Sequence, residues 1–202
     1  MKIGIIVGSM RSPGNSAKIG HYISERLPQL QEDTTTWTLD LGAHPLPLWD
    51  ESVWSGAEHW KTVLKPLGEA LVACDGFVVL APEYAGMVPP ALKNFFLLAD
   101  KKHLGHKPGL IVAVSSGRGG SYPVAELRSS SYKNNRLNWI PDHVIVRDAD
   151  HVLNGEMPEN DGDTFIRGQI DYSLRMLLEY ARALQSVRAS GVIDYKTYPN
   201  GM

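Results

Sequence analysis

Cysteine is almost absent from this chain of 202 residues; Cys74 stands alone. A disulfide within the chain is excluded, and a chain of this length without one suits a reducing compartment. The cytoplasm is the expected location. Long apolar runs are missing as well: the longest, 76–82, is far short of the ~20 residues that cross a bilayer. The first eight residues carry a very short apolar run with no small-residue cleavage site after it, and do not read as a signal peptide. No membrane association is expected. An excess of charge of one sign is also missing. Lys and Arg number 20 against 22 Asp and Glu, a net charge of −2. That excludes the basic balance of a dedicated nucleic-acid binder. It also counts against a small acidic electron carrier steered onto basic partners. The seven histidines are scattered, with no His-x-x-x-His or His/Cys spacing, so no metal site is expected. Asp161-Gly162-Asp163 lacks the acidic ladder and closing Glu of a Ca²⁺ loop. Gly-x-Ser-x-Gly is absent, and no Ser-His-Asp set can be placed.

What is present is an ordinary globular composition, 43% hydrophobic and 21% charged, in a length that suits one domain. Folding would bury about 70% of the extended-chain surface, enough for a core without staples. Residues 3–7, 77–81 and 110–114 are continuously apolar and end at Gly, Pro or Ser. Strands buried on both faces of a parallel sheet read this way. Weaker runs at 35–41 and 143–147 fit flanking strands. Between them lie helical stripes. Ile19, Ile23 and Leu27 follow a candidate N-cap in 14–16. Trp60, Leu64, Leu67 and Leu71 form another stripe, which Pro66 should kink or split. Ala91, Leu92, Phe95, Phe96 and Ala99 follow Pro89-Pro90. A last helix is predicted over 164–184 and a weaker one around 123–133. Alternating strands and helices predict one α/β domain with about five parallel strands. The expected division is a domain over 1–188 and a tail over 189–202. The proline- and tryptophan-bearing segment 42–57 and the tail are candidates to cover a site or a partner subunit, or are plain surface. His103 and His106 are expected at the surface, and Cys74 as a small buried residue.

Ligands of open parallel sheets bind beyond the carboxyl ends of the strands. Three loops should open there: 8–16, 82–89 and 115–121. The first suits an anion. Its glycines let N–H groups converge, Ser9 and Ser16 can donate, Arg11 brings charge, and a helix N-terminus follows. It is neither a Walker A loop nor a G-x-G-x-x-G fingerprint.

Taken together, the loops resemble the NAD(P)H-dependent FMN reductases of flavodoxin-like fold, whose members include quinone, chromate and azo-dye reductases. Gly8-Ser9-Met10-Arg11 with Ser16 is similar to the family's phosphate loop. Pro82-Glu83-Tyr84, then Pro89 and Leu92-Lys93-Asn94, is similar to its second motif. Ser116-Gly117-Arg118-Gly119-Gly120 is similar to its third, and Leu46-Pro47-Leu48-Trp49-Asp50 to a short stretch after the second strand. The match covers residues 2–140.

The resemblance implies a three-layer sandwich with a five-stranded parallel sheet of order 2-1-3-4-5. It implies bound FMN, with Ser9, Arg11, Asn15 and Ser16 on the phosphate. Pro82, Glu83, Tyr84, Ala85 and Gly86 would line the ring through backbone groups, with Ser116, Gly117, Arg118, Gly119 and Gly120 flanking it. Close backbone approach to a planar ring is what glycine permits. NADPH or NADH would reduce the FMN, and a small acceptor would then take the electrons: a quinone, azo compound, chromate-like oxyanion or free flavin. The cofactor carries the chemistry, so no catalytic residue is expected from the protein. A homodimer or homotetramer is implied, with the 42–57 segment and the 95–99 face as contact candidates. The family usually has Asn where Ala85 stands, which puts a side-chain hydrogen bond to the site in doubt. Arg118 would meet an NADPH phosphate or balance charge on reduced FMN, or else form a surface ion pair. Glu83 is expected to pair with an arginine across a subunit contact. The rival readings are an FMN-binding carrier or flavin sensor without NAD(P)H turnover, and a phosphosugar or nucleotide enzyme on the same sheet edge.

Overall fold

The structure is a computed structural model describing residues 1–11 and 13–200. Ser12 of the first loop, and Gly201 and Met202 of the tail, lie outside the described residues.

Strand β1 (Lys2–Val7) leads to helix α1 (Asn15–Leu30), then β2 (Thr35–Asp40), the short α2 (Ser52–Ser55), α3 (Glu58–Val72) and β3 (Gly76–Pro82). The chain continues through α4 (Pro90–Leu98), α5 (Lys101–Leu104), β4 (Pro108–Val114), α6 (Ser121–Ser129), β5 (Asn138–Val146) and α7 (Asp161–Ala189). The strands form one sheet in the order β2-β1-β3-β4-β5, every neighbouring pair parallel. This is the expected flavodoxin-like arrangement, with its order reversing between β1 and β3.

Period-two alternation divides the central strands between two cores. Ile3, Ile5, Val7, Val78, Leu80, Leu110, Val112 and Val114 face α1 and α7, meeting Ile19, Ile23, Leu174 and Leu177. Ile6, Phe77, Val79, Ala81, Ile111 and Ala113 face the other way, onto Leu67 and Leu71 of α3, Leu92 and Phe95 of α4, and Leu127 of α6. Strands β1, β3 and β4 are buried on both faces, hence their unbroken apolar runs. The two weaker runs are the edge strands, β2 and β5, whose burial is mixed.

Several expectations need correction. Pro66 does not split α3, which runs unbroken from Glu58 to Val72. Pro66 and Thr62 are both exposed, so water can satisfy the Thr62 carbonyl that proline leaves without a helical donor. The N-cap of α1 does fall within 14–16, at Gly14 in extended conformation, with no side chain capping. Helix α6 spans 121–129 instead of 123–133. Helix α7 begins three residues before the predicted start and runs five past the predicted end. His103 and His106 are half-buried rather than fully solvated. The His103 ring packs on Gly68 and closes a capping box with Asp100, while His106 stacks on Tyr195. Trp60 is core, whereas Trp54 is exposed and meets Trp49 edge-on. The described tail does not reach the carboxyl edge. Tyr195 lies between His106, Arg136 and Lys101, and Arg136 also holds the Tyr198 and Asn200 carbonyls. These partners immediately precede β4 and β5, so the tail docks at the amino edge.

Candidate active site

The strand ladder runs on into the carboxyl-edge loops and fixes where they start. Gly8 N–H donates to Leu80 O, Glu83 N–H to Val114 O, and Ser115 N–H to Val146 O, each at 2.9 Å. Only glycine fits at position 8: a Cβ there would stand 2.6 Å from Leu80 O and 2.7 Å from Leu92 Cδ2. The loop that Gly8 opens therefore lies directly on β3 and α4.

Ser9, Arg11, Asn15, Ser16, Pro82, Glu83, Tyr84 and Ser116 line one cleft of about 50 Å³, together with Gly14, Val114 and Ser115. Helix α1 opens on it with no side-chain cap and no acidic residue in its first turn. Its leading N–H groups and positive dipole end are thus available to an anion. Ser9 and Ser16 are buried at its base and Arg11 is exposed at its rim. Asn15 has a protein partner already, donating to Asp150 Oδ1 at 2.8 Å.

The other predicted residues, Ala85, Gly86 and 117–120, continue the same two loops but do not line this cleft. Ala85 and Gly86 are the tip of a tight turn in which Tyr84 and Met87 exchange backbone hydrogen bonds of 3.0 and 2.9 Å. The glycine loop is held from several sides. Asp148 N–H donates to Gly117 O at 2.9 Å. Arg147 Nε donates to Arg118 O and Gly119 O at 2.8 and 3.1 Å. Gly120 sits at φ 105° where a Cβ would strike Ile145. Glu83 accepts from Gly120 N–H at 2.6 Å. The carboxylate thus joins two loops of its own chain. The Arg118 side chain is 86% exposed and approaches Asp148 at 3.3 Å.

Sequence reading missed the supports behind these loops. Leu92, Lys93 and Asn94 each do a separate job. Leu92 packs beneath Gly8. Lys93 pairs with Glu126, whose other oxygen accepts from Val88 N–H at 2.7 Å. Burial pushes the Glu126 pKa up, but Lys93 and the Val88 N–H outweigh it and hold it below the usual value. Asn94 is buried and binds both Trp49 N–H and Pro47 O, at 2.8 and 2.9 Å. The second motif therefore anchors the Leu46–Asp50 stretch. Tyr122, 69% exposed, lies beside Gly86.

Larger grooves lie elsewhere. One of about 910 Å³ separates α1 from α7; its two arginines are paired, Arg26 with Asp171 and Arg167 with Asp163. Another, of about 700 Å³, lies between α4 and α6.

A flavodoxin-like sheet carries, after its first strand, an uncapped helix end, two serines and an arginine, with two braced backbone loops opposite: a candidate site for an anionic ligand. The family model for NADPH-dependent FMN reductases matches residues 1–151, and the chain belongs to that family. It is an NAD(P)H-dependent oxidoreductase that uses FMN. An NADPH azoreductase of Bacillus sp. (strain OY1-2) is 29% identical over 162 residues, covering 79% of this chain and 84% of that protein. A 2-hydroxy-1,4-benzoquinone reductase of Burkholderia sp. is 25% identical over 178 residues, covering 85% and 93%. Among solved structures, a flavoenzyme NAD(P)H:(acceptor) oxidoreductase of Paracoccus denitrificans shares the fold, with a TM-score of 0.69 at 19% identity over 90% of this chain and 97% of that one.

Proposed function

We propose that the cleft holds the FMN phosphate on Ser9, Arg11, Asn15, Ser16 and the α1 N-terminus. The 82–86 and 116–120 loops would then flank the ring. The observation that carries this reading is the uncapped α1 N-terminus opening on buried serines, with no acidic residue in its own first turn. FMN, when bound, takes a hydride from reduced nicotinamide and returns the electrons to the second substrate. The protein's contribution is binding and orientation. Glu83, Arg147 and Glu126 brace the two loops, so the ring would meet a backbone wall that is already in place.

The acceptor we propose is a small planar one, a quinone or azo compound, in keeping with what the azoreductase and benzoquinone reductase relatives are named for. The exposed Tyr122, Met87 and Met10 offer apolar surface on the cleft loops and beside the turn. A chromate-like oxyanion or free flavin would use the same mouth. Arg118, far out in solvent, is placed to meet a phosphate of NADPH. We place residues 1–188 in the FMN-binding domain, with 189–202 as its tail, in the cytoplasm. A homodimer or homotetramer is proposed through the α4 face, where Leu97 is 64% exposed beside Phe96 and the α4–α6 groove. A monomer at micromolar concentration in sedimentation equilibrium would contradict that assembly.

Arg11→Ala tests the site. Losing one charged contact to phosphate should weaken FMN binding about tenfold, the scale of a charge-assisted hydrogen bond. An unchanged dissociation constant would remove Arg11 from the phosphate cradle.

A further inference from the structure

Tyr84 belongs to the loop assigned to the ring, yet its side chain turns to the phosphate end of the cleft. Its hydroxyl lies 2.9 Å from Ser9 Oγ. Ser9 is only 2% exposed, and its Oγ also accepts from Arg11 N–H at 3.0 Å. A serine hydroxyl has two lone pairs and one proton. Of the two hydroxyls in contact, the phenol is the more acidic and so the better donor. With Tyr84 donating to one lone pair and Arg11 N–H to the other, Ser9 has its accepting capacity filled. Its proton is then left to be given away. The protein acceptor in reach is Arg11 O, at a long 3.3 Å.

We propose that Tyr84 is a positioning residue of the phosphate cradle: by donating to Ser9 Oγ it commits the Ser9 proton to an anionic oxygen of the ligand. This rests on the reading that the 8–16 loop holds the FMN phosphate. A phenylalanine would keep the wall and leave Ser9 a free lone pair, so the hydroxyl could turn and accept instead of donate.

The test titrates FMN and riboflavin, which lacks the phosphate, into flavin-free wild type, Tyr84→Phe, Ser9→Ala and the double variant. Inorganic phosphate is then used to compete with FMN. In wild type, FMN binds at least about tenfold tighter than riboflavin. Tyr84→Phe lowers FMN affinity about fivefold and leaves riboflavin within about twofold. The inhibition constant of inorganic phosphate rises by the same factor as the FMN dissociation constant. Because the two residues act in series, adding Tyr84→Phe to Ser9→Ala costs no further FMN affinity. Melting of the flavin-free variants checks that each folds; should Ser9→Ala not fold, the Tyr84→Phe titrations decide alone. Equal loss of FMN and riboflavin would make Tyr84 a wall for the ring and overturn the proposal. Unchanged FMN affinity would overturn it as well. A wild type that does not prefer FMN over riboflavin would instead remove the phosphate reading on which it stands.

Discussion

Ala85 occupies a backbone position that suits other residues better. Both central residues of its turn have positive φ, 50° at Ala85 and 73° at Gly86. Two-residue turns with two positive φ values favour Asn-Gly. An alanine held in the left-handed region costs about 1–2 kcal/mol, and Asn less. The asparagine expected here by resemblance thus has a reason in the turn itself. Ala85→Asn should raise the melting temperature by about 2–4 °C and leave FMN affinity within about twofold. A tighter complex without added stability would instead place the amide against the ligand. At this scale, residues whose chemistry is local were readable: glycines, Ser9, Ser16, Arg11. Glu83 was not, because its partner is a backbone N–H 37 positions away, and an accepted backbone hydrogen bond leaves no mark on residue type. The Tyr84–Ser9 contact was not legible either: only the folded chain brings the two hydroxyls together.

Among the elements, legibility followed burial. Strands β1, β3 and β4 announced themselves by unbroken apolar runs, and the edge strands, each with one face half wet, gave fainter signals. Helix α7 was underestimated at both ends, because its polar first turn is set by capping. Asn160 Oδ1 accepts from Asp163 N–H at 2.9 Å. Asp163, fully buried, accepts from Leu153 and Glu159 N–H and from Arg167 Nε at 3.0, 3.1 and 2.9 Å. The Asp-Gly-Asp sequence is therefore the first turn of a helix capped by Asn160, and its second carboxylate is used inside the protein. Burial alone would raise the Asp163 pKa, but Arg167 and the two N–H groups outweigh it and hold it below the ordinary value. The sign follows from linkage. The stabilisation is complete above the unfolded-state pKa, about 3.9, and is lost as pH falls through the lower folded-state value. Asp163→Asn should cost about 3–5 kcal/mol at neutral pH, since it leaves the buried Arg167 contact without its charge. Urea unfolding from pH 7 to pH 3 should show a shallower acid fall in the variant than in wild type. Parallel falls would mean that Asp163 does not carry the acid sensitivity.

For the molecule as a whole, the parallel sheet does most of the assembling. Because every strand points the same way, the loops at 8–16, 82–89 and 115–121 must emerge on one edge, and three motifs far apart in the chain become one site. That much followed from element order. The bracing between motifs did not: Lys93 to Glu126, Asn94 to the 47–49 backbone and Arg147 to the glycine loop exist only once the layers pack. The tail lies at the opposite edge, against Lys101, His106 and Arg136. It therefore covers no part of its own cleft within the described residues. The central claim is that this edge holds FMN and lets reduced nicotinamide reach it. The visible absorption spectrum of the purified protein, reconstituted with FMN and followed on anaerobic addition of NADPH and then NADH, tests that claim most directly. The account predicts a bound-flavin spectrum that bleaches and returns when a quinone is added. Flavin that binds but bleaches with neither nicotinamide, or a protein that takes up no FMN at all, would contradict it.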